Sequence, residues 1–501
     1  MSFRKVLIAN RGEIAVRIAR TLQELGIVAA VVHSDADADA VHVRSADEAY
    51  ALPGVTAGET YLAGARIVEL AKAHGVDAIH PGYGFLSENA EFAQACADAG
   101  ITFIGPTPAV IRAMGDKIVA RRTAEVAGVP VVPGWSGAAD EVTPQRLEQE
   151  AQQIGYPVLL KAAAGGGGKG MRVVRSKREI AEAQAAAARE ASAAFGDARI
   201  FVEKYIDRPR HVEIQILGDA HGRVVHLGER ECSIQRRHQK IIEETPSPAL
   251  TPELRAAMAE AAVRLGTELG YTNAGTVEFI LAPDGSFYFL EVNTRLQVEH
   301  PITEWVQRRD LVAAQLAVAA GAPLPFAQAD CVPAGHAIEC RVYAEDARQG
   351  FLPQTGTIVH YVPPEGPGIR VDSGVAAGSV VHVHYDPLLA KLSVWGRDRV
   401  EALARMKAAL RRYVIVGVTH NIDFLHDVLA HAEFAAGNTD THFLQRHEVR
   451  TASPPPDIAL AAAALASQER PAQPAGRGAI ERATPWSDAG GWRVADTGQN
   501  R

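Results

Sequence analysis

Apolar residues recur in two rhythms along the first hundred positions. Short runs, Lys5–Ala9 (KVLIA), Ile27–His33, Val76–His80 and Ile101–Ile104, alternate with stretches of helical spacing at Ile14–Leu25, Tyr61–His74 and Glu88–Ala99. Gly26 and Gly100 stand where the first and last of these helices should stop. Short buried strands alternating with amphipathic helices predict a parallel, doubly wound sheet. A dinucleotide site would need three spaced glycines after the first strand, and Asn10-Arg11-Gly12-Glu13 offers one, so NAD binding is not expected.

The rhythm changes after about position 114. Pro157–Lys161 and Met171–Arg175 read as strands flanking a glycine run, and further strands are expected at 199–205, 211–217, 223–228, 275–281 and 286–292. A mixed α/β segment follows at 335–445, with a helix at Arg399–Arg412. Beyond Arg450, Ser453-Pro454-Pro455-Pro456 reads as a linker, 458–467 as a short alanine-rich helix, and 468–501 as a mobile tail.

Composition narrows the function classes. The length of 501 residues predicts two to four domains. A formal net charge of −8 argues against nucleic acid or an acidic membrane as partner, while leaving room for a local cationic pocket. Cys96, Cys232, Cys331 and Cys340 are scattered, form no CxxC pair, and make a reducing cytoplasm the default. The start, MSFRKVLIANRGE, reads as a strand rather than a signal peptide, and no apolar stretch nears the ~20 residues of a membrane span.

Five stretches carry candidate chemistry. Gly165-Gly166-Gly167-Gly168-Lys169-Gly170 lies between two strand-like segments, as a hairpin flap would, and its backbone N–H groups could approach phosphate oxygens without Cβ clash. Met171 follows where a Walker loop needs Lys-Ser/Thr, and a plain flexible loop is the bland reading. In 287–301 (FYFLEVNTRLQVEHP), an extended chain would set Glu291, Asn293, Arg295, Gln297 and Glu299 on one face, with Leu290, Val292, Thr294, Leu296 and Val298 on the other. Glu278 inside the apolar strand 276–281, together with Glu291 and Asn293, would offer hard oxygen ligands suited to Mg²⁺; an ion pair with an arginine is the competing account. His211, Glu213 and Gln215 alternate with Val212, Ile214 and Ile216, and the cationic run Gln235–Lys240 reads by itself as a solvated loop.

Taken together, IANRGEIAVRIAR (8–20), HPGYGFLSENAEFA (80–93), MGDK (114–117), KAAAGGGGKGMRVV (161–174), EKYIDRPRHVEIQ (203–215), ECSIQRRHQKIIEE (231–244), EVNTRLQVEHPITE (291–304), AIECRVYAED (337–346) and GVTHNIDFL (417–425) resemble the biotin carboxylase family over about 1–445. The resemblance implies an α/β protein with a Rossmann-like N-terminal domain (1–113), an ATP-grasp core (114–330) with a mobile lid near 132–204, and a mixed α/β C-terminal domain (331–447), then a linker and the start of a carrier-side domain (448–501). By the family pattern Lys117, Lys161, the glycine flap through Met171, Glu203, Lys204, Ile206, His211, Gln235 and His238 bind ATP, and Glu278, Glu291 and Asn293 hold Mg²⁺ or Mn²⁺. Lys240, Arg295, Gln297 and Val298 meet bicarbonate, Glu299 is the base, and Arg341 faces biotin. One departure stands at Gln307-Arg308-Arg309, where the family usually carries a Thr-Gly pair before Asp-Leu-Val.

The implied chemistry is ATP-dependent carboxylation of biotin by bicarbonate through carboxyphosphate, the released phosphate deprotonating biotin. The implied partners are a biotin carrier and a carboxyltransferase β subunit in an oligomeric holoenzyme. Two alternatives stay open: an ATP-grasp ligase with a non-biotin acceptor, and an inactive scaffold homologue. Carriers of this family display their lysine in a Met-Lys-Met turn; the only Met-Lys here, Met406-Lys407, has helical spacing, so the chain is expected not to carry its own biotin. Thr484-Pro485-Trp486-Ser487 and Gly490-Gly491-Trp492-Arg493 resemble the entry to the next domain of acyl-CoA carboxylase α subunits, which reads as a chain truncated before that domain.

Overall fold

The strand Lys5–Ile8 has neighbours on both sides and no polar side chain after Lys5, so its two faces must both be covered. In the computed structural model, which describes residues 3–137, 142–163, 170–237 and 239–449, they are. Val6 and Ile8 point to one core with Ile14, Ile18 and Leu22 of the helix Gly12–Glu24. Leu7 and Ala9 point to another with Ile67 and Tyr61. Alternate side chains thus feed opposite layers, which is what makes the strand read as an unbroken apolar run. The sheet is parallel, in the order Glu48–Ala51, Val28–His33, Lys5–Ile8, Ala78–His80, Thr102–Phe103. At the carboxyl ends of its strands the backbone of Gly374 lies so close to Gly12 and Glu13 that a Cβ would approach Glu13 N to 2.7 Å. The Arg11 guanidinium stacks on Tyr385, 4.2 Å from its ring centre. A later segment of the chain therefore packs against the turn where a dinucleotide fingerprint would stand.

The larger sheet is antiparallel. Its order among the described residues is Phe287–Asn293, Asn273–Leu281, Arg210–Gly218, Val224–Arg236, Gln239–Thr245, His336–Tyr343, Leu388–Gly396, Ile369–Ser373. It runs on across position 330, because Gln239–Thr245 pairs with His336–Tyr343. A four-stranded antiparallel sheet, Gly134–Trp135, Ile200–Lys204, Val158–Ala162 and Arg172–Val174, buries one apolar core against the helices Pro144–Ile154 and Ile180–Phe195. The strands flanking the glycine run do pair with each other, Leu160 opposite Arg172. Gly165, Gly166, Gly167, Gly168 and Lys169 lie outside the described residues, as do His238 and the tail readings beyond Arg450.

Two expectations are corrected. The strand expected at 223–228 continues to Arg236 and takes in the first two residues of the cationic run, while Gln239 and Lys240 open the strand that pairs with it, instead of lying in a solvated loop. Charge misleads here because partners are internal: Glu229 accepts from Arg255 (2.8 Å), Glu231 from Ser247 (2.6 Å), and Arg230 pairs with Glu213. The strand carrying Glu291 and Asn293 ends at Asn293, so the expected extended alternation does not reach Glu299. Met406-Lys407 lies in the helix Arg399–Arg412 with Met406 buried. No helix among the described residues is long and apolar enough to cross a membrane.

Candidate functional site

The two antiparallel sheets face each other across a cavity of about 840 Å³. The four-stranded sheet contributes Leu159, Lys161, Val173, Glu203 and Lys204, and the larger sheet contributes His211, Gln235, Lys240, Glu278, Ile280, Leu290, Glu291 and Asn293. Arg341, also on the larger sheet, and Lys117, Met171, Tyr205, Ile206, Arg295, Gln297, Val298 and Glu299 line it too, so every described candidate residue except Gly170 reaches it. Gly170 instead packs behind the wall at φ +70°, where a Cβ would come within 2.9 Å of the Ala162 Cβ. Val298, assigned by alternation to the apolar face, lines the cavity as well, because the chain turns after Asn293.

One end of the cavity is cationic and apolar. Lys161 Nζ donates to Glu203 Oε2 (3.0 Å), and Arg121 donates to the other oxygen of that carboxylate (3.0 Å). Burial lowers the Lys117 pKa and Lys161 adds to it, against the pull of Glu291. Gln235 Nε2 lies 2.8 Å from His211 Nδ1, which fixes the imidazole, and Tyr205 Oη lies 3.1 Å from His442 Nε2. A buried Lys161 and a half-buried Lys117 beside Leu159, Val173, Ile280 and Leu290 fit an anion joined to a flat apolar group.

The middle is a carboxylate pair in register. Glu278 stands opposite Glu291 on adjacent strands, and Asn293 opposite Thr276. Burial and then Glu278 raise the Glu291 pKa. Burial also works against the Glu278 charge, but Lys240 and His211 outweigh it and hold that carboxyl well below its usual range. Glu278 Oε1 accepts from Lys240 (2.7 Å), Asn293 Nδ2 (2.8 Å) and Gln297 Nε2 (3.0 Å). Two carboxylates and an amide oxygen are the hard donors a Mg²⁺ ion takes, and two like charges in register are relieved by a divalent cation, so the residues fit the metal. His211, Glu213 and Glu278 also bring ligand atoms within 4.8 Å of one another, but Lys240 already bonds both carboxylates there.

The far end is built on Glu299, which is 2 % exposed. Its Oε1 accepts from Lys240 (2.8 Å) and its Oε2 from Arg341 (2.9 Å). Burial would raise its pKa, yet Lys240, Arg341 and Arg230 together hold it well below the ordinary carboxylate range. Arg295 donates to Glu88 Oε2 (2.8 Å) and Asn293 Oδ1 (2.9 Å).

Supporting residues escaped the sequence reading. Glu213 and Arg230 are completely buried; Arg230 pairs with Glu213 and donates to Gln215 (2.7 Å), Thr303 (3.0 Å) and Thr276 (3.0 Å). Glu243 accepts from Arg341 Nε (2.6 Å). The alternation of His211, Glu213 and Gln215 was the only signal for Glu213, and a partner 17 positions away was needed to read it.

An eight-stranded antiparallel sheet and a smaller one enclosing a lysine- and carboxylate-lined cleft define an ATP-grasp protein. The family model for the carbamoyl-phosphate synthase L chain ATP-binding domain matches residues 116–327, and those for the biotin carboxylase N-terminal and C-terminal domains match 2–111 and 339–446. The chain belongs to the biotin carboxylase family. It is 51 % identical to the biotin carboxylase of Nostoc sp. over 445 residues, covering 89 % of this chain and 99 % of that one. It is 52 % identical over 446 residues to the mitochondrial methylcrotonoyl-CoA carboxylase subunit alpha of Arabidopsis thaliana, covering 89 % of this chain and 60 % of the relative. The chain thus spans about 60 % of the length of such α-subunit relatives. The biotin carboxylase domain dimer of Hydrogenobacter thermophilus 2-oxoglutarate carboxylase, solved with MgADP, ADP and bicarbonate, superposes with a TM-score of 0.86 at 47 % identity, covering 89 % of this chain and 98 % of that one.

Proposed function

We propose that the chain carboxylates biotin with MgATP and bicarbonate, as the first half-reaction of a biotin-dependent acyl-CoA carboxylase. The observation that carries this reading is the far end of the cavity: one buried carboxylate, Glu299, held between Lys240 and Arg341 and adjoining a metal-type carboxylate pair. On this reading Lys117, Lys161, Lys204, Glu203, Ile206, Met171, His211 and Gln235 bind the nucleotide, and the flap 165–170, with Gly170 at its described edge, closes over its phosphates. Glu278, Glu291 and Asn293 would hold Mg²⁺ or Mn²⁺, which supplies charge neutralisation at the phosphates. The division 1–113, 114–330 with a lid near 132–204, and 331–447 is proposed with it.

The proposed steps are those the family resemblance implies, placed on these residues. Bicarbonate enters against Lys240, Arg295, Gln297 and Val298 and loses its proton to Glu299. Its oxygen attacks the γ-phosphorus, the bond to ADP breaks, and carboxyphosphate forms. Carboxyphosphate then releases its carboxyl group as CO₂ to N1′ of biotin, and the departing phosphate takes the biotin proton. Arg341 meets the enolate-like ureido oxygen with a charged hydrogen bond. Glu299 begins as a poor base, since each pKa unit of mismatch costs about 1.4 kcal/mol. The cation that depresses it is the same Lys240 that receives the substrate. An anion taking Lys240 therefore weakens its hold on Glu299, raising the affinity of Glu299 for a proton as bicarbonate arrives.

A biotin carrier, a carboxyltransferase β subunit and an oligomeric holoenzyme are the proposed partners, and the α-subunit and dimer relatives support them. Four buried free thiols suit a reducing compartment such as the cytoplasm, the proposed location. The test is phosphate release from MgATP: it should require bicarbonate and rise with free biotin. Turnover unchanged after rigorous removal of bicarbonate would point to another ATPase.

A further inference from the structure

Arg341 does not rest on Glu299 alone. Its Nε and Nη2 both lie 2.6 Å from Glu243 Oε1, while Nη2 also donates to Glu299 Oε2 (2.9 Å). Glu243 sits on the strand Gln239–Thr245, in register with Glu339 of the strand His336–Tyr343 that carries Arg341 itself. Both carboxyls are 0 % exposed. Glu243 Oε2 and both oxygens of Glu339 have no hydrogen-bond partner. The remaining cations nearby are committed elsewhere: Lys240 bonds Glu213, Glu278 and Glu299, and Lys391 donates to Val298 O (2.8 Å) and lies 3.3 Å from Glu13.

Two directly opposed buried carboxyls with a cation in contact with only one of them cannot both be ionised. Arg341 contacts Glu243 and not Glu339, so the charge belongs on Glu243 and the proton on Glu339. Burial raises the Glu339 pKa well above its ordinary value, with Lys391 opposing and Glu243 adding to it; burial raises Glu243 as well, but only to about 7, because Arg341 opposes it. Glu243, placed on a paired strand, then fixes the plane of the rigid guanidinium by bonding both Nε and Nη2. Glu299, at the start of the helix His300–Gln307, meets Nη2 alone.

We propose that Glu243 is a positioning residue for the acceptor stage, holding Arg341 toward biotin, and that Glu339 is its neutral, proton-bearing partner. This rests on the reading of Arg341 as the residue that meets biotin. Two assays on the full chain separate the stages: bicarbonate-dependent ATP cleavage without biotin, and carboxybiotin formation at varied free biotin. Glu243→Gln should lower kcat/KM for biotin by at least ~10-fold, the scale of one charged hydrogen bond, and ATP cleavage by less than ~3-fold. Glu243→Asp, which keeps the charge and shortens its reach, should recover part of the loss. Glu339→Gln, a neutral donor of the same shape, should stay within ~3-fold in the biotin assay. Equal loss in both assays for both Glu243 variants, or no loss in either, overturns the positioning role. A loss in Glu339→Gln as large as in Glu243→Gln overturns the assignment of the proton. The wild-type chain is the control for the underlying reading. If it shows no bicarbonate-dependent, biotin-responsive turnover, the proposed function fails; if it does and the variants misbehave as above, only this inference fails.

Discussion

Glu299 owes its ionisation to its neighbours, since at 2 % exposure water contributes little. Lys240 and Arg341 each donate to one of its oxygens, and Arg230 lies behind them. Glu299→Gln keeps a polar group of the same size there but removes the proton acceptor. The expected outcome is an unchanged melting profile and MgATP affinity with bicarbonate-dependent turnover down at least ~100-fold, the lower scale of general-base contributions. Phosphate release and nucleotide titration on the purified variant check it; near-wild-type turnover would remove Glu299 from its role. At this scale the residue types were legible, because a carboxylate or lysine in an apolar strand demands a partner. Which partner was not. Arg230 meets Glu213 only once two neighbouring strands have paired in register, and Arg341 meets Glu243 only once strands 98 positions apart have.

The helix His300–Gln307 ends on Arg308 at φ +52°, the left-handed conformation that glycine adopts without strain. This is the position of the departure from the family's Thr-Gly pair, and only its neighbours gain contacts. Gln307 Nε2 donates to Leu227 O (3.0 Å), and Arg309 stacks on Phe326 at 4.2 Å. The cost of the Cβ at Arg308 is uncompensated by any of that. Arg308→Gly should therefore stabilise the chain by about 1 kcal/mol, the scale of the left-handed penalty for a side chain. A rise in the denaturant midpoint at unchanged slope checks it, and a fall would show that the exposed Arg308 side chain has a use. Element types followed from periodicity, and the helix Arg399–Arg412 falls where spacing puts it. The strand Val224–Arg236 was expected only to 228, because charged residues beyond it lose their reason to stay in solvent only when Arg255, Ser247 and Glu213 are brought to them.

Across the whole molecule, ionisable side chains are buried far from the cavity too, and they make stability depend on pH. Burial lowers the pKa of His42 to about 4, with Asp37 opposing. In the unfolded chain it titrates near 6.5, so below that pH the unfolded state takes up the proton first. The His42 contribution is full above pH 6.5, declines as pH falls, and levels off near 4. At pH 5 wild type should have lost about 2 kcal/mol on this account. His42→Leu should therefore gain on wild type between pH 8 and pH 5, as denaturant melts at the two values would show; parallel losses would place the charge change elsewhere. The sequence by itself determined the alternating parallel layer, the strands beside the glycine run and the residue types of the cleft, because periodicity and the cost of burying polarity act locally. Only the tertiary structure decided the continuous sheet across position 330, the turn that brings Val298 to the cavity, and the pairing of Arg341 with Glu243, because each depends on contacts between segments that local spacing does not join.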